Sequence, residues 1–335
     1  MIDDEDVKKI LMLDDVMDAL EEAFRQYGMG RAGGDGFRYG FIPPPKRELR
    51  IKGKGMPHGF PGNVSIGQGM ASLEDTKLAV LQHSFSFPKR KSSMFHLIDA
   101  ESGDTLALVM NNESYISWMR TGAEGAIAAK YLSRTDCKVA GVIGTGRQGR
   151  AQLQFLVKVR QLEKVYAYSG RRRDEEFANE MSKTLGLDVV ATNDAEEVVR
   201  NAEVLTTVTH STVPIVRGDW VEEGTHINGI GADCPLKAEL DASTIQKTDK
   251  LVIDCEQVLD VADLRAPIEQ GVMHATSIYG TIGEIVAGVK PGRQHPSEIT
   301  VYKSTGMTIP YVTIAAKIYE KAKNMGLGTE VSSFL

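Results

Sequence analysis

Cysteine is scarce: the 335 residues hold three, Cys137, Cys234 and Cys255, odd in number, far apart and without a CxxC pair. That argues against a disulfide framework or a cysteine-built zinc site and suits a reducing compartment. No apolar run approaches the roughly 18 residues of a membrane span, and the N-terminal Met-Ile-Asp-Asp-Glu-Asp is acidic where a secretory signal would be basic. A basic surplus is missing too: 39 Lys and Arg stand against 45 Asp and Glu, a net charge of −6. Nucleic-acid binding needs a face rich in Lys and Arg, and the cluster Lys89-Arg90-Lys91 reads as a solvated loop. No repeat or low-complexity tract is visible. The expectation is a cytoplasmic globular protein without metal, membrane or nucleic-acid partner. Its 42% hydrophobic and 25% charged residues are ordinary for that class.

What is present is a glycine-rich turn in a particular order. Val139-Ala140-Gly141-Val142-Ile143 reads as a buried strand, Gly144-Thr145-Gly146-Arg147-Gln148-Gly149 as a turn opening a helix that runs to about Val159, and Lys164 to Tyr168 as the next strand. This βαβ succession is the phosphate cradle of a dinucleotide-binding fold. Gly144 permits the tight turn, Gly146 lets backbone approach a pyrophosphate, and Gly149 lets helix pack on strand. An NAD site usually ends the second strand with a carboxylate. Here Ser169-Gly170-Arg171-Arg172-Arg173 stands there, and a hydroxyl with guanidinium groups suits a 2′-phosphate. The reading favours NADP(H), with NAD(H) as the alternative; a solvated basic turn that merely starts the next helix is the plainer account.

The elements around the cradle divide the chain. Val16, Ala19, Leu20, Ala23, Phe24 and Tyr27 recur at helical spacing behind Asp14 as N-cap, with Gly28 as C-cap. Residues 29 to 75, rich in Gly, Pro and basic residues, predict loops and short strands. Leu78 to Leu81, Met94 to Ile98 and Thr105 to Met110 read as strands, the last two joined by a hairpin turn over Asp99 to Asp104. Alternation of strand and helix begins near residue 120, with a helix over 174 to 185, a strand at Val189 to Ala191, a short helix to Asn201, and strands at Val204 to Thr209, His226 to Ile230 and Leu251 to Asp254. A last helix spans Val312 to Lys323. The fold expected is α/β: a Rossmann-type doubly wound parallel sheet, residues 119–308, inserted into a smaller α+β domain of residues 1–118 plus 309–335.

Three positions carry candidate chemistry. Asp233, in Gly229-Ile230-Gly231-Ala232-Asp233-Cys234-Pro235, ends a strand where ligands sit in such sheets; a structural Asx turn is the competing account. Arg120 is expected at a helix N-terminus, where the dipole disfavours a cation unless an anion binds there, and Thr121 is a candidate cap for the same helix. Lys77, after Asp75-Thr76, reads by default as a surface lysine.

Arg120-Thr121-Gly122-Ala123 through Ala128-Ala129-Lys130-Tyr131-Leu132, the Gly144 turn, Gly231-Ala232-Asp233-Cys234-Pro235-Leu236-Lys237-Ala238-Glu239-Leu240-Asp241 and Lys303-Ser304-Thr305-Gly306 together resemble the ornithine cyclodeaminase and mu-crystallin family, over nearly the whole chain. The resemblance implies a homodimer, the smaller domain serving dimerisation and substrate binding, and hydride transfer between a nicotinamide and the α-carbon of an amino acid or its imine. It implies that Lys77 and Arg120, with Arg50 as a looser match, hold the substrate carboxylate, and that Asp233 meets the substrate nitrogen. Counted with the cofactor are Thr121, Gly144, Thr145, Gly146, Arg147, Gln148, Gly149, Ser169, Arg171, Arg172, Thr209 and Gly231.

Two departures bear on the substrate. With Met70 matched to a family methionine, Gln68 stands where ornithine cyclodeaminases carry a glutamate for the distal amine. Pro310-Tyr311 replaces the family's Gln-Asp pair after the Ser-Thr-Gly motif. The resulting expectation is an NAD(P)-dependent enzyme interconverting an α-imino acid and an amino acid. Ornithine cyclodeamination and a non-catalytic cofactor-binding protein of the crystallin type are the alternatives.

Overall fold

The computed structural model describes residues 1–34, 49–52, 63–87, 90–170 and 174–331. The chain separates into two compact units, Met1–Arg120 with Met307–Leu335, and Thr121–Gly306.

The first unit opens with α1 (Asp4–Ile10) and α2 (Leu13–Gly28), followed by β1 (Ala32–Gly34), β2 (Leu49–Lys52), β3 (Asn63–Leu73), β4 (Leu78–Phe87), β5 (Arg90–Asp99) and β6 (Thr105–Met110). Asp14 is not the cap of α2. The helix starts two residues earlier, at Leu13 with Met12 as N-cap, and Asp15 reaches back so that its carboxylate accepts the Met12 N–H at 2.9 Å, as in a capping box. The described strands make an antiparallel sheet in the order β1-β3-β4-β5-β6, with β2 also paired to β3. Period-2 alternation sends Val80, Phe95, Leu97 and Val109 to a buried face. The expected turn between β5 and β6 forms around Asp99, whose Oδ1 accepts the N–H groups of Glu101 and Ser102, both at 2.9 Å. The strand expected from Leu78 runs on to Phe87, and β3 is longer than a loop-rich composition suggested.

The chain leaves this unit within α3 (Tyr115–Leu132). The second unit comprises β7 (Val139–Ile143), α4 (Arg147–Leu156), β8 (Lys164–Tyr168), α5 (Asp174–Leu185), β9 (Asp188–Ala191), α6 (Ala195–Asn201), β10 (Val204–Thr207), β11 (His226–Gly229), α7 (Ala242–Gln246), β12 (Lys250–Ile253), α8 (Ala262–Glu269), β13 (Gly280–Thr281), α9 (Ile282–Val286) and β14 (Thr300–Lys303). Its sheet has the order β13-β12-β14-β11-β10-β7-β8-β9, and every described pairing in it is parallel. Two apolar layers cover its faces. Ala129, Leu153 and Phe177, from α3, α4 and α5, belong to one, and Val198, Ile245 and Leu264, from α6, α7 and α8, to the other. This is the doubly wound arrangement, with chain direction across the sheet reversing between β7 and β10. The chain then returns to the first unit in α10 (Pro310–Met325), where Tyr311 stacks on Phe95 with ring centroids 4.5 Å apart.

The core of the sheet holds one titratable group that sets an acid limit on stability. His226 is buried on β11, with Nδ1 2.9 Å from Thr300 Oγ1 and Nε2 3.0 Å from Asn228 Oδ1. Burial, aided by the Arg293 guanidinium, holds its pKa down from 6.5 to about 3. The unfolded chain therefore takes up a proton that the folded one refuses. The contribution is full above pH 6.5 and is lost as pH falls toward 3. Thermal melts between about pH 7 and pH 4 are expected to show Tm falling more steeply for the parent than for His226→Gln; equal slopes would assign the acid sensitivity to other groups.

Candidate functional site

At the end of β7 the chain turns through Gly144 with φ +114°, and its N–H donates to the Tyr168 carbonyl at 2.8 Å. A Cβ on Gly144 would lie 2.7 Å from the Val208 carbonyl oxygen, just past β10, and one on Gly149 would lie 2.2 Å from the Gly144 carbonyl oxygen. Gly146 differs: it is the N-cap of α4, and a Cβ there would meet nothing within 4 Å. The turn is thus filled where strand meets helix and open where the first N–H groups of α4 point. Those groups have no partner inside the helix and suit an anion. Gln148 Oε1 is a buried acceptor without a hydrogen-bond partner among the described residues, suited to a donor such as a ribose hydroxyl and not to the phosphate itself, and Thr145 is buried in the same turn. The residues fit a dinucleotide phosphate. Ser169 and Gly170 follow β8 as expected, whereas Arg171 and Arg172 lie outside the described residues.

The two glycines separate by experiment. Gly149→Ala forces backbone apart, so Tm and cofactor affinity are expected to fall together, by about 1–3 kcal/mol of stability. Gly146→Ala meets no protein atom and is expected to leave Tm unchanged while weakening cofactor binding, by titration, at least tenfold, roughly the loss of one or two charge-assisted hydrogen bonds. Parental affinity in Gly146→Ala would remove the anion from that spot.

Beyond β10 and β11 lies a constellation that sequence reasoning missed. Glu239 is fully buried. Its Oε2 accepts the Thr207 hydroxyl at 2.8 Å and the N–H groups of Gly231 at 2.8 Å and Ala232 at 3.1 Å; its Oε1 accepts the Thr209 N–H at 2.5 Å. Burial pushes its pKa up, against the opposing pull of Lys303. Lys303, also fully buried, donates to the carbonyls of Gly229 at 2.9 Å and Ala232 at 2.8 Å and sits 3.3 Å from Asp263 Oδ2. The segment from Gly229 to Ala232 is therefore gripped through its N–H groups by an anion and through its carbonyls by a cation. Thr209 and Gly231, both expected near the cofactor, are joined by this one carboxylate. Asp233 follows the gripped segment with a half-exposed side chain, its Oδ1 2.7 Å from Lys237 Nζ.

The Ser304-Thr305-Gly306 segment after β14 is fixed in a related way. Asp254 Oδ2 accepts the N–H groups of Thr305 at 2.8 Å and Gly306 at 2.7 Å. Ser304 Oγ lies 2.7 Å from Glu124 Oε1 and 3.0 Å from Asp254 Oδ2. Burial, then the Glu124 charge, pushes Asp254 up to about 6.

In the first unit Arg120 is placed differently from expectation, whereas Lys77 is exposed, as its default reading has it. Arg120 does not begin a helix. Asn111 Oδ1 accepts the Ile116 N–H at 2.9 Å and starts α3 at Tyr115, so Arg120 lies in the second turn and Thr121 cannot be its cap. Arg120 is instead a buried cation, 5.3 Å from the centroid of the Tyr311 ring and with Nε 3.4 Å from the Tyr311 hydroxyl. The Thr121 carbonyl accepts Gln152 Nε2 at 2.7 Å. Lys77 closes the turn between β3 and β4 with φ +53°, an uncommon backbone for a residue with a Cβ. Its exposed ammonium lies 2.5 Å from Glu101 Oε1, beside a cavity of about 500 Å³ lined also by Arg31, Ser72 and Glu74. Met70, partly exposed, pairs with Leu81, and Gln68 with His83; the side chains of Gln68 and Arg50 lie outside the described residues. The register does separate Arg50 from Lys77. Arg50 pairs with Ser65, whereas Leu73 meets Leu78 at the Lys77 end of the hairpin, a span of about 26 Å along β3 at the usual strand rise.

A doubly wound sheet with an anion-receptive glycine turn at its switch point, and an acid held past the end of β11 two strands away, defines a dinucleotide-binding protein of the oxidoreductase class. The chain belongs to the ornithine cyclodeaminase/mu-crystallin family, whose model matches residues 1–326. It is 35% identical over 331 residues to an alanine dehydrogenase of Archaeoglobus fulgidus, covering 98% of this chain and 97% of that one. Among solved structures it is similar to the Delta(1)-pyrroline-2-carboxylate reductase of Thermococcus litoralis in complex with NADH and L-proline, with 33% identity, TM-score 0.86 and coverage of 99% and 100% of the two chains. It is likewise similar to an archaeal alanine dehydrogenase dimer with bound NAD, with 34% identity, TM-score 0.86 and coverage of 100% and 98%.

Proposed function

We propose that this protein is an NAD(P)-dependent oxidoreductase that interconverts an α-imino acid, cyclic or acyclic, and the corresponding amino acid by hydride transfer at the α-carbon. The observation that carries the reading is the placement of Asp233: a carboxylate presented at the end of β11, two strands from the glycine turn and on a backbone gripped by Glu239 and Lys303. Both relatives' names describe redox chemistry at a carbon that bears nitrogen and a carboxylate.

The Gly144–Gly149 turn would hold the dinucleotide, which when bound would supply or accept the hydride. The protein's own part is binding and charge. Arg120 and Lys77 neutralise the substrate carboxylate and orient the α-carbon. Asp233 accepts a hydrogen bond from the substrate nitrogen and stabilises the positive charge of the iminium. Arg50 is left out of this set because of its distance along β3 from Lys77. Gln68, a neutral amide, is a poor seat for a distal ammonium, which disfavours ornithine cyclodeamination. The retention of Lys77, Arg120 and Asp233 disfavours a purely binding role.

Use of NADP(H) as well as NAD(H) is supported by Ser169 and the arginines at 171 and 172. Replacing both arginines with Ala is expected to lower kcat/KM for NADPH and spare NADH. A homodimer is supported by the dimeric relative and by the sheet face opposite the buried one, where Leu81, Met94, Ile98, Leu106, Leu108 and Met110 are only partly buried. A cytoplasmic setting is supported by three free cysteines, two of them buried. The reading is tested by following reduced-nicotinamide absorbance with Δ1-pyrroline-2-carboxylate, with pyruvate plus ammonia, and with alanine and proline in reverse. Turnover is expected with at least one; none with any imino or amino acid overturns it.

A further inference from the structure

We propose that Lys237 is the positioning residue that aims Asp233. The proposal rests on the reading of Asp233 as the group that meets the substrate nitrogen.

Four contacts make the arrangement more than a chance surface pair. A turn folds the loop back on itself, the Lys237 N–H donating to the Cys234 carbonyl at 3.1 Å. Pro235, in the second position of that turn, supplies the fixed φ the turn wants. The folded-back Lys237 then spans two acceptors: its Nζ lies 2.7 Å from Asp233 Oδ1 and 3.3 Å from the Gly231 carbonyl oxygen. Its side chain is only 19% exposed, against 50% for Asp233, so the four-carbon stem is packed and the ammonium has little freedom. From α8, Arg265 Nη2 holds the Pro235 carbonyl at 3.2 Å and fixes the outer limb of the loop.

The consequence concerns the two oxygens of one carboxylate. An aspartate on a free loop rotates about χ1 and χ2 and presents either oxygen. Here Oδ1 is committed to a charge-assisted bond, which leaves Oδ2 as the oxygen offered to a substrate N–H. The main chain below is fixed separately, by Glu239 on the N–H groups of Gly231 and Ala232. Division of labour follows: Glu239 sets where Asp233 stands, and Lys237 sets which way its carboxylate faces. Removing Lys237 therefore disturbs aim without disturbing the cofactor turn at Gly144.

The test compares Lys237→Met, which keeps the packed stem and removes the ammonium, with Lys237→Arg, which restores a cation, and Asp233→Asn as reference. Each is measured for kcat, substrate KM, cofactor Kd and Tm. Lys237→Met is expected to lower kcat about 10- to 100-fold, the scale set by misorienting one catalytic group, with cofactor Kd within about twofold of the parent. Lys237→Arg is expected to recover most of the loss. If Lys237→Met lowers Tm and cofactor affinity together with kcat, or if Lys237→Arg at parental Tm is no better than Lys237→Met, Lys237 is structural and the proposal fails. It also fails if Lys237→Met turns over within about twofold of the parent while Asp233→Asn is inactive. Full activity of Asp233→Asn overturns instead the functional reading beneath it.

Discussion

Asp233→Asn is expected to lower kcat by about a thousandfold while cofactor affinity stays within about twofold of the parent, a loss within the range for removing a general acid–base or a charge from a preorganised site. The substitution is nearly isosteric and keeps one acceptor oxygen, so the loop has no reason to move. Its backbone is held by Glu239 and Lys303, neither of which touches the Asp233 side chain in a described contact. What is lost is the negative charge facing the nitrogen when the iminium forms. Binding of the dinucleotide, by titration of its fluorescence, and turnover, by absorbance, are therefore expected to part company. Equal turnover would remove Asp233 from the mechanism and return it to the structural Asx turn that its sequence also allowed.

The parts of this molecule legible in the sequence are those where one residue type answers one steric demand. Gly144 and Gly149 could be read because backbone stands within 3 Å of where their Cβ atoms would be. Strands β7 to β10 and β12 could be read because each is a short stretch of apolar and β-branched or aromatic residues between turn residues. β14 could not: Thr300-Val301-Tyr302-Lys303 ends in a lysine, and a terminal lysine reads as a strand leaving the core. It is in fact fully buried between carbonyls and Asp263, a partnership made by residues forty positions away. Glu239 is illegible for the same reason, since its four donors come from two separate stretches of chain, Thr207 to Thr209 and Gly231 to Ala232. Arg120 was misplaced for a local reason. Asn111, five residues ahead of the N–H it caps, leaves a polar stretch without helical periodicity before Tyr115, and Asn before such a stretch was the signal available.

Lys77 yields the other large effect, because its backbone and its proposed role pull in opposite directions. A residue with a Cβ at φ +53° carries a conformational penalty that glycine does not, and this position closes a hairpin where glycine is the usual choice. Its ion pair with Glu101 is between two exposed side chains, 61% and 65% accessible, and contributes little to folding. On stability alone, Lys77→Gly is expected to be neutral or to gain about 1 kcal/mol, a rise in Tm of roughly 1–3 °C. Lys77→Ala keeps the strained backbone and is expected to gain nothing. Both are expected to lose activity about 100-fold or more, chiefly through substrate KM, as a cation is withdrawn from the substrate carboxylate. A Lys77→Gly protein that is more stable and nearly inactive would show that lysine is held in an unfavourable backbone for the sake of its ammonium. One that is more stable and fully active would make Lys77 an ordinary turn residue, and leave Arg120 as the sole carboxylate ligand in the proposed set.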